Sequence, residues 1–231
     1  MKETTQNLQH IGFILDGNRR WAKQNGKTAF EGHMAGYKNL KSIAQACFDR
    51  NIPYFSCYLF STENWQRSSD EVSYLMQLTL KVVIKDAKEL NKKNVCLRII
   101  GSRDKLDPKV AKAIEKAEAL TANNTAGTFV ACFNYGGQEE LTAAVRKIVA
   151  EQTATKDITP QLIKQHLYTA DIPAPDLIVR TSGEQRLSNF LLWDSAYAEL
   201  KFIDKYWPDF GEQDLDEIID EYNNRTRRYG K

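Results

Sequence analysis

A chain of 231 residues, 42% hydrophobic and 27% charged, has the balance of a soluble globular domain and enough length to bury a large core. A formal net charge of +2 excludes bulk attraction to nucleic acid or to an anionic membrane, so an anionic ligand must be held by locally placed arginines. Four cysteines without a Cys-x-x-Cys pair, beside only three histidines, argue against structural zinc and fit buried thiols in a reducing compartment. The opening MKETTQNLQH lacks the apolar core of a signal peptide, and no apolar run reaches the ~20 residues that span a bilayer, so a cytoplasmic protein is expected.

In chain order, strand-like runs fall at 11–15, 54–60, 95–100, 128–133, 177–179 and 199–203. Helical segments lie between them at 36–50, 70–94, 108–120, 138–151 and 159–168, with a last helix at 212–228. Strict alternation of this kind predicts an α/β fold, a mainly parallel sheet flanked by helices. No linker, repeat or low-complexity tract interrupts it, so one domain spanning 1–231 is expected. In the 70–94 segment, Val72, Leu75, Met76, Thr79, Leu80, Val83, Ala87 and Leu90 form one stripe, which Leu78 and Val82 widen. Such a helix is either wedged between two packed layers or walls an elongated apolar cavity, and periodicity does not separate the two.

Three strand ends carry polar clusters. The first strand runs into Asp16-Gly17-Asn18-Arg19-Arg20-Trp21, a sharp turn opening a helix, where backbone N–H groups make an anion site. A carboxylate beside an anion site calls for a divalent cation between them; the alternative is that Asp16 caps the helix. The second strand runs into Ser61-Thr62-Glu63-Asn64-Trp65-Gln66-Arg67, which reads either as a second wall of the same site or as a capped turn leading to Ser68-Ser69-Asp70-Glu71. The third follows 177–179: Arg180-Thr181-Ser182-Gly183-Glu184-Gln185-Arg186-Leu187-Ser188, two guanidinium forks and a hydroxyl suited to phosphate oxygens. Glu199, opening the last strand, is the candidate second carboxylate for a cation. Two anion sites, one carboxylate and an apolar helix face fit two diphosphates with apolar tails better than a nucleotide, and no P-loop or dinucleotide-binding glycine motif is present.

These blocks, with Gly32-His33-x-x-Gly36, Asn134-Tyr135-Gly136-Gly137 and Trp207-Pro208-Asp209-Phe210, resemble in order and across nearly the whole chain those of the cis-prenyltransferases, the undecaprenyl diphosphate synthase-like isoprenyl transferases. The resemblance implies a homodimeric α/β fold with a six-stranded sheet and an apolar substrate tunnel. It implies Mg²⁺-dependent condensation of isopentenyl diphosphate with an allylic prenyl diphosphate such as farnesyl diphosphate, giving a cis-polyprenyl diphosphate of undecaprenyl type or shorter. By that likeness Asp16 and Glu199 hold the metal, and Asp16 assists departure of the allylic diphosphate. Gly17, Asn18, Arg19, Arg20, Trp21 and His33 cradle that diphosphate. Arg180, Arg186, Leu187 and Ser188 bind isopentenyl diphosphate. Asn64 is the proton-removal position, with Ser61, Thr62, Glu63, Trp65 and Arg67 completing the wall. Release of a carrier-lipid product further implies peripheral contact with a membrane, and nucleic acid is not an expected partner.

Departures from the family pattern bear on substrate. Ala29 stands where an arginine contacting the allylic diphosphate is usual, with Lys27 the nearest substitute, and Gln185 replaces a histidine. Leu59 occupies a position that is commonly small in long-chain members, which predicts a shorter product, while Gly127 and small neighbours to Ala131 keep space open farther on. A non-catalytic partner subunit of the same family would tend to lose Asp16 and the arginine-serine loop, a haloacid-dehalogenase-like phosphatase would want a second Asp where Asn18 stands, and a nucleic-acid module would show a basic motif.

Overall fold

The fold is built outward from its first strand. In a computed structural model, which describes residues 8–81, 85–104 and 106–225, all five residues of β1 (His10–Ile14) are buried, as a strand covered by helices on both faces requires. It pairs in parallel with β2 (Tyr54–Ser61) and β5 (Leu177–Arg180). With β3 (Val95–Ile100), β4 (Gly127–Tyr135) and β6 (Glu199–Phe202) these form one sheet of order β3-β4-β2-β1-β5-β6, every pairing parallel. The expected strands are all present, shifted at most by two residues at an end. The chain winds one way through β2, β3 and β4 and then crosses β1 to β5 and β6. That reversal opens a crevice outside the carboxyl ends of the central strands, where ligands of open α/β sheets bind.

The helices follow from local chemistry. After the short α1 (Asn18–Gln24), Thr28 and Glu31 close a reciprocal capping box that starts α2 (Ala29–Asp49) seven residues earlier than 36. Gly32 and Gly36 lie on its inner face because α1 packs so closely: a Cβ on either would sit 2.3 Å from the Asn18 carbonyl oxygen or 2.2 Å from its Oδ1. Within the expected 70–94 helix lie α3 (Ser69–Lys81) and α4 (Ala87–Lys92). Val82 and Val83 of its stripe lie outside the described residues. Of the remaining helices, α5 (Pro108–Thr121), α6 (Gly137–Ala150) and α7 (Pro160–His166) match expectation within two residues at either end, whereas α8 (Glu212–Asn223) ends before the expected 228, with 226–228 outside the described residues.

The sheet divides the core in two. One face packs Phe13, Phe55, Phe129 and Phe133 against Trp207 and Phe210, and the other packs Tyr135, Ile178, Phe190 and Leu191. In β2 the register with β4 slips between Tyr58 and Phe60 and again at Ser61. This bulge re-aims Leu59 just before the site, a use of bulges that recurs beside active sites. Among the described residues no helix is long and apolar enough to cross a membrane.

Candidate active site

At the end of β1 the backbone is fixed from three directions. The Asp16 carbonyl accepts hydrogen bonds from Thr181 Oγ1 at 2.7 Å and from Trp207 N–H at 3.0 Å, which ties the turn to β5 and to the single-turn 3-10 helix Trp207–Asp209. Gly17 then adopts φ +102°, a left-handed conformation, and a Cβ there would lie 2.7 Å from the Tyr206 ring. Asp16 does not cap α1: the N-cap is Gly17 and no side chain caps the helix. The Asp16 carboxylate instead receives Gly17 N–H on Oδ1 at 2.7 Å, Arg180 Nη2 on Oδ2 at 2.9 Å and Arg20 Nη2 at 3.3 Å.

Arg180 organises the β5 side. It is 4% exposed, and its other amino group donates to the Arg186 carbonyl at 2.5 Å and to Ser188 Oγ at 2.7 Å. Its Nε–H is buried and makes no hydrogen bond, an orphan donor beside the cavity that Arg180 lines. Glu184 ties the loop together, pairing Arg186 at 2.6 Å and Arg20 at 3.2 Å. These guanidinium groups hold its carboxyl below the ordinary value.

On the opposite wall a second acidic residue does similar work. Glu71, at the start of α3 and 8% exposed, accepts from Arg67 Nη1 at 2.7 Å, contacts His33 Nε2 at 3.2 Å and lies 3.7 Å from Arg19. Burial alone would raise its pKa, but Arg67, His33 and Arg19 together outweigh it and hold the carboxyl below its ordinary value. Burial also keeps His33 below 6.5, against the opposing pull of Glu71. Neither Glu71 nor Glu184 stands out as a site residue in the sequence. The one signal for Glu71 is its place four residues after Arg67.

These walls enclose a cavity of about 720 Å³, within the range of small-molecule sites. Asp16, Asn18, His33, Ser61, Glu63, Asn64, Arg67, Arg180 and Ser188 line its polar end, and Tyr37, Leu40, Leu59, Leu75 and Leu78 its apolar end. This stretch of the α3 stripe therefore faces a cavity. Asn64 Oδ1 accepts Ser61 N–H at 3.1 Å, and Asn189 Nδ2 donates to Glu63 at 2.9 Å, which bridges the β2 and β5 loops. Among the described residues, Asn18 Oδ1 is buried without a partner.

Other expected site residues sit elsewhere. Trp21 donates to Asp209 Oδ1 at 2.6 Å, and Trp65 donates to Asn134 Oδ1 at 2.8 Å with its ring edge-on to Phe60. Thr62 packs against Gly136, and Leu187 packs with the second apolar cluster. The side chains of Arg19, 62% exposed, and Arg186 are tied to the site through Glu71 and Glu184. Glu199 requires a correction. It pairs with Leu177, which pairs with Ile11, so it lies at the amino edge of the sheet, about 15 Å along the strands from Asp16. There it accepts from Arg225 at 2.6 Å, and the two carboxylates of one protomer do not share an ion. Among the described residues no three His, Cys, Asp or Glu side chains form a metal cluster.

The family model described as "Putative undecaprenyl diphosphate synthase" matches residues 14–230. An isoprenyl transferase of Agrobacterium fabrum is 45% identical over 96% of this chain and 92% of its own. A ditrans,polycis-undecaprenyl-diphosphate synthase of Pseudomonas putida, named as specific for (2E,6E)-farnesyl diphosphate, is 40% identical over 96% and 90%. Among solved structures, lavandulyl diphosphate synthase from Lavandula x intermedia in complex with dimethylallyl diphosphate superposes with a TM-score of 0.92 at 36% identity, covering 97% of this chain and 98% of that one. A "probable undecaprenyl diphosphate synthase" from Campylobacter jejuni gives 0.82 at 30% identity, covering 98% and 100%.

Proposed function

The chain belongs to the undecaprenyl diphosphate synthase family of prenyltransferases, and from that premise we propose that it condenses isopentenyl diphosphate with an allylic diphosphate, farnesyl diphosphate as starter, into a cis-polyprenyl diphosphate. The observation that carries this reading is the junction of Arg180, Asp16 and Ser188 at the mouth of a cavity whose far end is apolar. Diphosphates would be held at the mouth and prenyl tails would lie in the apolar end.

The reaction breaks the bond from the allylic carbon to its diphosphate oxygen, joins that carbon to the terminal alkene carbon of isopentenyl diphosphate, and releases one proton. In this reading Arg20, Asn18 and His33 take the allylic diphosphate, while Arg180, with Ser188, takes that of isopentenyl diphosphate. Charge gathering on the departing group is met by guanidinium groups already fixed in place, the arrangement that contributes most in such sites. Asn64 orients the attacking alkene. A neutral amide is a poor base, so the proton passes to water or to the released diphosphate. Magnesium takes one or two carboxylates together with substrate phosphates, and Asp16, partly open to solvent at the cavity mouth, suits that role. When bound, the ion would neutralise diphosphate charge and weaken the breaking bond.

We also read the protein as a cytoplasmic homodimer. Tyr197, 80% exposed, and Leu200 lie beside and on the unpaired edge strand β6, and Val145 and Val149 form an exposed apolar pair on α6. Sedimentation of the purified protein at a monomer mass would remove the dimer. Lipid contact at product release is limited to the membrane surface. The function is tested by incubating the protein with isopentenyl diphosphate, Mg²⁺ and, separately, geranyl, farnesyl and geranylgeranyl diphosphates, and weighing the products. Condensation that stops with EDTA is expected; no product from any starter would overturn the reading.

A further inference from the structure

Tyr37, Leu40, Leu59 and Thr79 line both the apolar end of the cavity and, on their other side, a second space of about 60 Å³. Phe48, Phe129 and Phe133 help to line this inner chamber, as apolar as any core. Its outer rim is not. Asp86, at the start of α4 and 6% exposed, accepts the Tyr37 hydroxyl at 2.5 Å and Lys41 Nζ at 3.0 Å, and Lys41 also pairs with Glu89. Tyr37 and Lys41 are one helical turn apart on α2, so both reach the same carboxylate.

The physical consequence is a pinned ring. A tyrosine lining an open cavity can exchange rotamers at small cost. Here a rotation would strip a buried carboxylate of a donor, and buried charges tolerate that poorly. Burial and the neighbouring Asp86 carboxylate push the Tyr37 phenol above its ordinary pKa, so the hydroxyl stays protonated and keeps donating. The larger chamber and the smaller one are thus separated by a side chain locked in place from behind.

We propose that Tyr37, held by Asp86 and Lys41, is the stop that ends product growth: the tail elongates until its far end meets this ring, and the inner chamber is not used. This rests on the prenyl-transfer reading and adds a specificity-determining residue to it. The product is then shorter than undecaprenyl diphosphate. Leu59 shares this lining without a polar partner behind it, whereas Tyr37 is a gate with a latch.

The test is the product mass distribution from farnesyl and isopentenyl diphosphates with wild type, Tyr37→Ala, Tyr37→Phe and Asp86→Asn. Tyr37→Ala should lengthen the main product by at least one isoprene unit. Tyr37→Phe keeps the ring but loses the latch, so it should spread products over several lengths, and Asp86→Asn should spread them less. Wild-type lengths from both Tyr37 variants would overturn the proposal, as would an undecaprenyl product from the wild type. If Tyr37→Ala does not fold, the near-isosteric Tyr37→Phe decides alone. Turnover with unchanged lengths removes only this inference, whereas a wild type inert toward every starter removes the prenyl-transfer reading and this inference with it.

Discussion

Two cationic clusters flank the same cavity and are built on opposite plans. On the β5 side, Arg180 is almost wholly buried and all its neighbours are fixed: Asp16, the Arg186 carbonyl and Ser188. On the α1 and α3 side, the carboxylate Glu71 is buried, while the cations it gathers are open to solvent to different degrees, Arg67 in part and Arg19 mostly. The first is a preorganised socket, with the cation inside and a partner already in place. The second is a set of adjustable arms around a buried anion. Preorganised charge in a water-poor site acts more strongly and costs less reorganisation than charge on mobile surface groups. The socket should therefore govern the chemical step, and the arms should govern how tightly, and which, starter is held.

The sharpest way to break this contrast is Arg180→Ala. Losing one partner of a buried pair costs several kcal/mol, and since Asp16 is partly solvated we expect about 2 kcal/mol in urea denaturation, with condensation slowed by roughly 10²-fold or more. A change confined to KM would show that the socket only binds. Next is Glu71→Gln, which loosens two arginines and His33 at once and should cost about 1 kcal/mol of stability and mainly raise the KM for the allylic diphosphate. Its sign with pH follows from the lowered carboxyl. The wild type draws stability from this group above 4.5 and loses it as pH falls through the folded-state value, so the gap between wild type and Glu71→Gln should close in acid. A gap that widens in acid would refute the role assigned to Glu71.

Smaller again is Arg20→Ala. With Ala29 at the start of α2 where a relative would carry an arginine, Arg20 bears more of the starter's charge, and we expect about a tenfold rise in KM, or ~1.4 kcal/mol. The same loss in a relative that retains the arginine should be less; equal losses would remove that compensation. Leu59→Ala belongs to neither cluster, and with the Tyr37 stop still in place it should lengthen the product less than Tyr37→Ala does. Unchanged length would leave the bulge residue without a role in specificity.

The contrast also shows what a sequence can and cannot reveal. Strand ends and their polar clusters were legible, because each depends on a few adjacent residues, and Asp16, His33, Asn64, Arg67, Arg180 and Ser188 do line one cavity. The early start of α2 was missed because Gly32 and Gly36 resemble helix breakers; only the packing against Asn18 shows why they are needed. Glu199 failed as a partner for Asp16 for a different reason. Its type and its place in a strand were read correctly, but the sheet register, set by β1 and β5, carries it to the wrong end. Glu71 and Glu184 escaped because an acidic residue beside arginines looks like a surface pair until its burial or its second partner is known.

The Trp207 anchor has a consequence in time rather than space. Trp207 holds the end of β1 through the Asp16 carbonyl and holds α2 through the Gly36 carbonyl, and Asn39 donates back to its carbonyl, in contacts that bridge 171 and 168 residues of chain. The first loop of the site is therefore clamped by a segment synthesised long after it. A nascent chain arrested before residue 207 can form β1, α1 and α2 but lacks the brace that fixes the Asp16 turn, so diphosphate affinity should arrive abruptly, once that segment is made. So large a sequence separation also places this closure among the slow steps of folding.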